Sequence, residues 1–254
     1  QKRISKRPSS KFPRPAAARR PVVAAREAGT VSDSDETETV EEKRRQQMLS
    51  RRRKWYWALL AVGLVVLAVT AVLAMGGWLD ETERRIFAFI NHVDLPGWVT
   101  EQIAKPVSDA VWGMAFLVVA FLLIPKFRLL AWQYAVAAGS TFAAVTIVEH
   151  IVNRARPVEL PMYDAVMRAS QDGLGFPSAH VAIVTALVLT AWPYLAWPWR
   201  IVLALFIVAE AWSRIFLGVH APLDVVGGAA VAMAVVSTIH LLPANIRKVF
   251  KLAA

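Results

Sequence analysis

Cysteine is absent from the 254 residues, so the chain can form neither a disulfide nor a thiolate metal site, and sulfur says nothing of its redox compartment. Histidine is scarce: the five residues are scattered, with no HExxH string and no aspartate-rich loop, so no metal site is predicted. The first 54 residues lack the apolar core of a signal peptide, and an acidic block from Asp33 to Glu42 argues against a transit peptide. Aromatic residues scarcely interleave the positive charges there, which argues against nucleic-acid binding. No inverted repeat is visible and the charges near span ends gather at one face, which argues against a transporter.

Apolar residues are abundant, at 56% of the chain, and they fall in long blocks rather than the short periodic runs of a soluble domain. Windows of membrane-spanning length lie near Trp55 to Met75, Pro106 to Ile124, Leu129 to Val148, Ala179 to Trp197, Ile201 to Leu217 and Leu223 to Leu242. The expectation is an all-α integral membrane protein, a six-transmembrane-helix bundle over residues 55–250. Arg51 to Lys54, Lys126, Arg128, Arg200, Arg247, Lys248 and Lys251 flank the spans on one side, which places both termini in the cytoplasm. The opposite loops then lie outside the cytoplasm, in a setting expected to be a bacterial plasma membrane. Trp55, Trp57, Trp98, Trp197 and Trp199 sit toward span ends, as rings anchored at headgroup depth do.

Charge is concentrated at the N-terminus. Residues 1–54 hold 16 Lys and Arg against 7 Asp and Glu, and the remainder 13 against 12. Such a segment, rich in Pro, Ser, Ala and Arg, cannot bury a core and is expected to be a disordered cytosolic tail. Its Lys43 to Lys54 cluster suits anionic lipid headgroups, at about 1 kcal/mol per charge near the surface. The first span would then act as an uncleaved anchor. Between spans one and two, Ile86, Phe87, Phe89 and Ile90 suggest a short helix lying flat at the outer interface. Small residues in span three (Ala135 to Gly139) and span six (Gly227 to Ala232) allow close helix approach, so both are expected inside the bundle.

Two strings carry the chemistry. In Pro177-Ser178-Ala179-His180, Ser178 opens an apolar run, and the unpaired amides of a helix start favour an anion. His180 would sit in the first turn as an acid usable near neutral pH, the plainer alternative being a capped helix with an incidental histidine. In the second string, Ser213-Arg214 is followed by His220 and Asp224. The Arg214 fork suits phosphate oxygens, although Glu210, four residues earlier, offers it a structural ion pair. His220 and Asp224 are also four apart, with Pro222 suited to the first turn of a helix, so the carboxylate can orient a nucleophilic or basic imidazole. A third string, Asn153-Arg154-Ala155-Arg156-Pro157, is extended before its proline. If that geometry reaches Arg154, Arg154 and Arg156 point the same way and form a second cationic clamp. Ordinary contact with headgroups is the alternative.

Together these strings resemble the signature of the type 2 phosphatidic acid phosphatase superfamily, which includes glucose-6-phosphatase and the vanadium haloperoxidases. The second string is complete, and the first differs from Pro-Ser-Gly-His only by Ala179 at the glycine. The third departs more: the family places a lysine seven residues before the arginine of Arg-Pro, and here that position is Glu149. Either Arg154 supplies the missing charge or Glu149 meets a cationic or hydroxyl-rich substrate group.

The resemblance implies a lipid phosphate phosphatase without cofactor or metal. His220 would be the nucleophile that takes the phosphoryl group, Asp224 its orienting partner and His180 the acid on the departing oxygen. Arg156, Arg214 and Ser178, beside Ala179, would hold the phosphate oxygens. The substrate would be a polyprenyl diphosphate, a polyprenyl-phosphate sugar, phosphatidylglycerophosphate or phosphatidate, met from the outer leaflet. A lipid phosphotransferase using the same phosphohistidine, or a non-catalytic member of the family, are the competing expectations.

Overall fold

The computed structural model of the chain describes the backbone of residues 24–77 and 79–249, and side chains from Glu42 to Arg247 apart from Trp78 and Ala244. Residues 1–23 of the expected tail, the side chains of its acidic block from Asp33 to Glu41, and Lys248 and Lys251 lie outside this description. Every long element among the described residues is helical. Eight helices follow in order: α1 (Ala24–Gly76), α2 (Asp80–Asn91), α3 (Gly97–Leu123), α4 (Arg128–Val152), α5 (Ala179–Ala191), α6 (Trp197–Phe216), α7 (Pro222–Leu241) and α8 (Ala244–Val249). A π turn at Thr100–Ala104 interrupts α3 near its start.

Each of the six windows read from the sequence carries helix, although in the window from Ala179 to Trp197 the α-helix ends at Ala191. Four stretches are long and apolar enough to cross a membrane: Glu42–Gly76, Gly97–Leu123, Arg128–Glu159 and Pro222–Leu241. The apolar helix at Ala179–Tyr194 is shorter, and α6 carries Arg200, Glu210 and Arg214 within its 20 residues. These two helices supply much of the chemistry described below, one differing from a plain span in length and the other in its charged residues. Large apolar side chains cover the outside, among them Val65, Val69, Phe116, Leu123, Ile147 and Val208. Such a surface is stable against lipid and costly in water.

One expectation needs correction. Residues 24–54, expected to be disordered, belong to α1. Apart from Ser50, the stretch from Glu41 to Lys54 is built from Glu, Lys, Arg, Gln, Met and Leu, all strong helix formers, and Gln46 donates to Glu42 one turn back. Its described side chains, residues 42–54, are exposed and bury no core.

Within residues 51–254, which form a compact unit, α5 and α7 pack most closely, and α4 lies against both. Small residues allow this, as the sequence suggested: Ala137, Ala186 and Ala232 meet with Val236 in one buried cluster. Helix α2 docks by Glu83, Phe87 and Asn91, which are buried at four-residue spacing. Phe87 packs with Tyr163, Val181, Ile215, Ala221 and Val225. Asn91 donates to the Ile215 and Phe216 carbonyls and accepts from the Val166 amide. Ile86 and Phe89 remain exposed on the opposite side. The segment expected to lie flat at the interface therefore also clamps the ends of α6 and α7.

Candidate active site

The strings singled out in the sequence converge where α5 and α7 begin and α6 ends. Ser178 precedes α5 in an extended conformation, and its amide donates to the Asp224 carbonyl at 2.9 Å. The loop before it lies directly on α7: a Cβ on Gly228 would collide with the Ser178 carbonyl, and one on Gly227 with the Phe176 ring. Only glycine at these two positions lets the backbone come so close.

His220 is fully buried in the turn between α6 and α7. Its Nδ1 lies 2.8 Å from the Gly175 carbonyl oxygen, which can only accept, so the proton is on Nδ1 and Nε2 keeps its lone pair. Arg156 Nη1 stands 3.4 Å from that Nε2. Burial pushes the imidazole pKa down to about 4, with Arg214 and Arg156 adding to the effect and Asp224 opposing it. The ring is therefore neutral at pH 7.

Asp224 does not hold the ring as its spacing suggested. Its Oδ2 is 3.7 Å from His220 Nδ1, beyond hydrogen-bond distance. That oxygen instead accepts the Ala221 amide at 2.7 Å, and Oδ1 accepts Arg154 Nη1 at 2.8 Å. Gly175 has taken over the hydrogen bond to the ring, while Asp224 faces it as a charge.

Arg154 is the clearest departure from expectation. It is buried among Glu83, Asp224 and Tyr163, so it neither clamps phosphate nor replaces the lysine absent at Glu149. Two carboxylates attract it more strongly than an open cavity can. Arg156 goes elsewhere, donating to the Gly173, Val219 and Asp172 carbonyls at 2.9, 2.8 and 3.1 Å. Its guanidinium thus rests against the turn that carries His220.

Arg214 is buried near the end of α6, with Nη1 donating to Ser108 Oγ of α3. Its Nε and Nη2 have no hydrogen-bond partner among the described residues, and neither does Ser178 Oγ. The alternative Glu210–Arg214 ion pair does not form: both Glu210 oxygens are buried without a hydrogen-bond partner among the described residues. Ser213 Oγ turns back to the Glu210 carbonyl at 2.8 Å, a local helix bond. Glu149 is half-buried on the last turns of α4, and Ala179 is the first residue of α5.

A cavity of about 580 Å³ adjoins these groups, lined by His180 and Arg214 together with Ser108, Asp109, Trp112 and Arg168. His180 lies within electrostatic reach of Arg214, His220 and Arg156. Sequence reasoning missed the lining from α3 and missed Glu83. An acid on the same face of α2 as Phe87 was the available signal for the latter.

Residues 130–248 match the family model described as the PAP2 superfamily. The chain is 29% identical over 161 residues to YbjG of Escherichia coli (strain K12), named as an undecaprenyl-diphosphatase, covering 61% of this chain and 79% of that protein. It is 26% identical over 166 residues to the lipid A 4'-phosphatase of Bacteroides thetaiotaomicron, covering 61% and 73%. Among solved structures, the transmembrane PAP2 type phosphatidylglycerolphosphate phosphatase from Bacillus subtilis superposes with a TM-score of 0.56 at 17% identity, over 71% of this chain and 92% of that one. Aquifex aeolicus LpxE gives 0.53 at 20% identity, over 62% and 93%. At such identities the two structures speak for the PAP2 fold alone.

Proposed function

We propose that the chain is a membrane lipid phosphate phosphatase that works through a phosphohistidine on His220. The observation that carries this reading is the set of buried, unpartnered polar atoms, Arg214 Nε and Nη2 and Ser178 Oγ, beside two imidazoles. Buried donors without partners are costly, and a phosphoryl group supplies the oxygens they lack. The homologues named as an undecaprenyl-diphosphatase and a lipid A 4'-phosphatase point to the same chemistry.

His220 Nε2 attacks phosphorus while the bond to the lipid oxygen breaks, and His180 gives that oxygen its proton. Water then attacks the phosphohistidine, passes a proton to His180 and releases inorganic phosphate. Phosphoryl transfer spreads charge over the equatorial oxygens, where Arg214, Ser178 Oγ and the first amides of α5 stabilise it. The chain's own donors suffice for these roles, so the reaction is read as metal-independent.

The substrate is read as a lipid carrying a phosphomonoester or diphosphate, of the polyprenyl, lipid A or glycerophospholipid kind. Along α3, Met114, Leu117 and Phe121 line an apolar groove of about 360 Å³ with Phe127, Leu130 and Tyr134 of the neighbouring segment, suited to an acyl or prenyl tail. The domain is read as six spans over residues 55–250 of a bacterial plasma membrane, with both termini cytoplasmic and the site outside. Residues 1–54 are read as a basic cytoplasmic segment whose Lys43 to Lys54 cluster meets anionic headgroups.

The deciding experiment is release of inorganic phosphate from a panel of lipid phosphates by detergent-purified protein with EDTA present. Turnover is expected for the natural chain, with no loss to chelator, and none for His220→Ala. Full activity of folded His220→Ala protein would remove the nucleophile assignment.

A further inference from the structure

We propose that Glu83 and Arg154 are positioning residues for the phosphoryl transfer: with Asp224 they form a buried charge triad whose single net negative unit tunes the basicity of His220. This rests on the phosphohistidine reading above.

The triad is tightly built. Arg154 Nη1 donates to Glu83 Oε1 at 3.1 Å and to Asp224 Oδ1 at 2.8 Å, and Nη2 donates to Glu83 Oε2 and, at 2.8 Å, to the Tyr163 hydroxyl. The Tyr163 hydroxyl donates in turn to Glu83 Oε2 at 2.7 Å, and the Leu223 amide donates to Glu83 Oε1 at 2.8 Å. Both Glu83 oxygens thus only accept, as an ionised carboxylate does. Burial, then the charge of Glu83, pushes the Tyr163 pKa above its ordinary range and keeps its proton in place.

The electrostatic consequence follows from counting charges. The groups facing His220 are Arg156 from the loop before α5, Arg214 from α6, His180 from α5 and Asp224 from α7. Asp224 is the carboxylate among them, and transfer to Nε2 makes the ring a cation that Asp224 must stabilise. Arg154 alone, on Asp224 Oδ1, would cancel that carboxylate. Glu83, on the other side of Arg154, restores the negative unit. By accepting the Leu223 amide, Glu83 also fixes the start of α7 three residues after His220, which ties α2 to the reacting turn.

The two single neutralisations change the triad in opposite senses. Glu83→Gln brings the net charge to zero and should lower the His220 pKa and the acid limb of kcat/KM. Arg154→Gln brings it to two negative units and should raise both, each shift being roughly half a unit or more. The double variant returns to one negative unit and should titrate near the natural chain. Because neither residue lines the cavity, Glu83→Gln should reduce kcat about tenfold with KM changed by less than about twofold, and the double variant should recover most of that loss.

The measurement is NMR titration of histidine-labelled protein in detergent, with the His220 resonance assigned by its loss in His220→Ala, run beside kinetics and thermal unfolding. Titration needs no turnover. If the natural chain releases no phosphate, the phosphatase reading fails while opposite shifts still support the field around His220. Shifts in the same direction, no shift in a variant that folds, or a double variant no better than Glu83→Gln would each overturn the proposal. Should Glu83→Gln not fold, Arg154→Gln and the double variant decide alone, with Glu83→Asp expected to titrate like the natural chain.

Discussion

His220 is neutral in the resting fold, and that has a cost in acid. Its folded pKa of about 4 lies below the unfolded value of about 6.5, so between these values the unfolded chain binds a proton that the folded one refuses. The stabilising contribution is therefore complete above about pH 6.5 and is lost as pH falls toward 4, by up to roughly 3 kcal/mol. Thermal unfolding in detergent is expected to drop more steeply over that window for the natural chain than for His220→Gln; equal slopes would contradict the neutral, buried ring. Arg214 invites a second test. Its two unpartnered nitrogens form a planar fork that lysine cannot reproduce, so Arg214→Lys should cut kcat/KM about 100-fold while circular dichroism stays unchanged.

At the scale of elements, the approach of α7 to the loop before α5 sets the site. Gly228→Ala places a methyl against the Ser178 carbonyl, and since that contact is backbone the loop must move. A stability loss of about 1–3 kcal/mol and a fall in kcat exceeding the change in KM are expected, measured by unfolding and steady-state kinetics. Elements of this kind were legible beforehand. Each of the six apolar windows carries helix, four of them in stretches that composition and length alone mark as membrane-crossing, and Pro222 and Ser178 stand at the helix starts that local chemistry assigns them. What sequence could not supply was the partner of a charge. Arg154 reads like a phosphate ligand until Glu83, 71 residues away, claims it. Ser108 is 106 residues from Arg214, and Asp224 at helical spacing from His220 still lost the hydrogen bond to a backbone carbonyl. The helical Glu41 to Lys54 stretch was misread for another reason: its net charge masked strong local propensity.

For the whole molecule, the absence of cysteine makes the proposed topology directly testable. Val158→Cys in the exposed loop after α4 is expected to react with an impermeant maleimide in intact cells, and Lys126→Cys, between α3 and α4, only after permeabilisation. The reverse pattern would turn the enzyme over and place its cavity in the cytosol. Domain assembly is constrained as well. Helix α6 carries Arg214 in its C-terminal half, and a guanidinium costs about 2.5–3.5 kcal/mol to insert when lipid is its only surrounding. Such a segment gains little by leaving the translocon alone. Its insertion is best coupled to that of α3, whose Ser108 receives the guanidinium, so the arginine proposed to hold the phosphate would also tie the insertion of one helix to that of another.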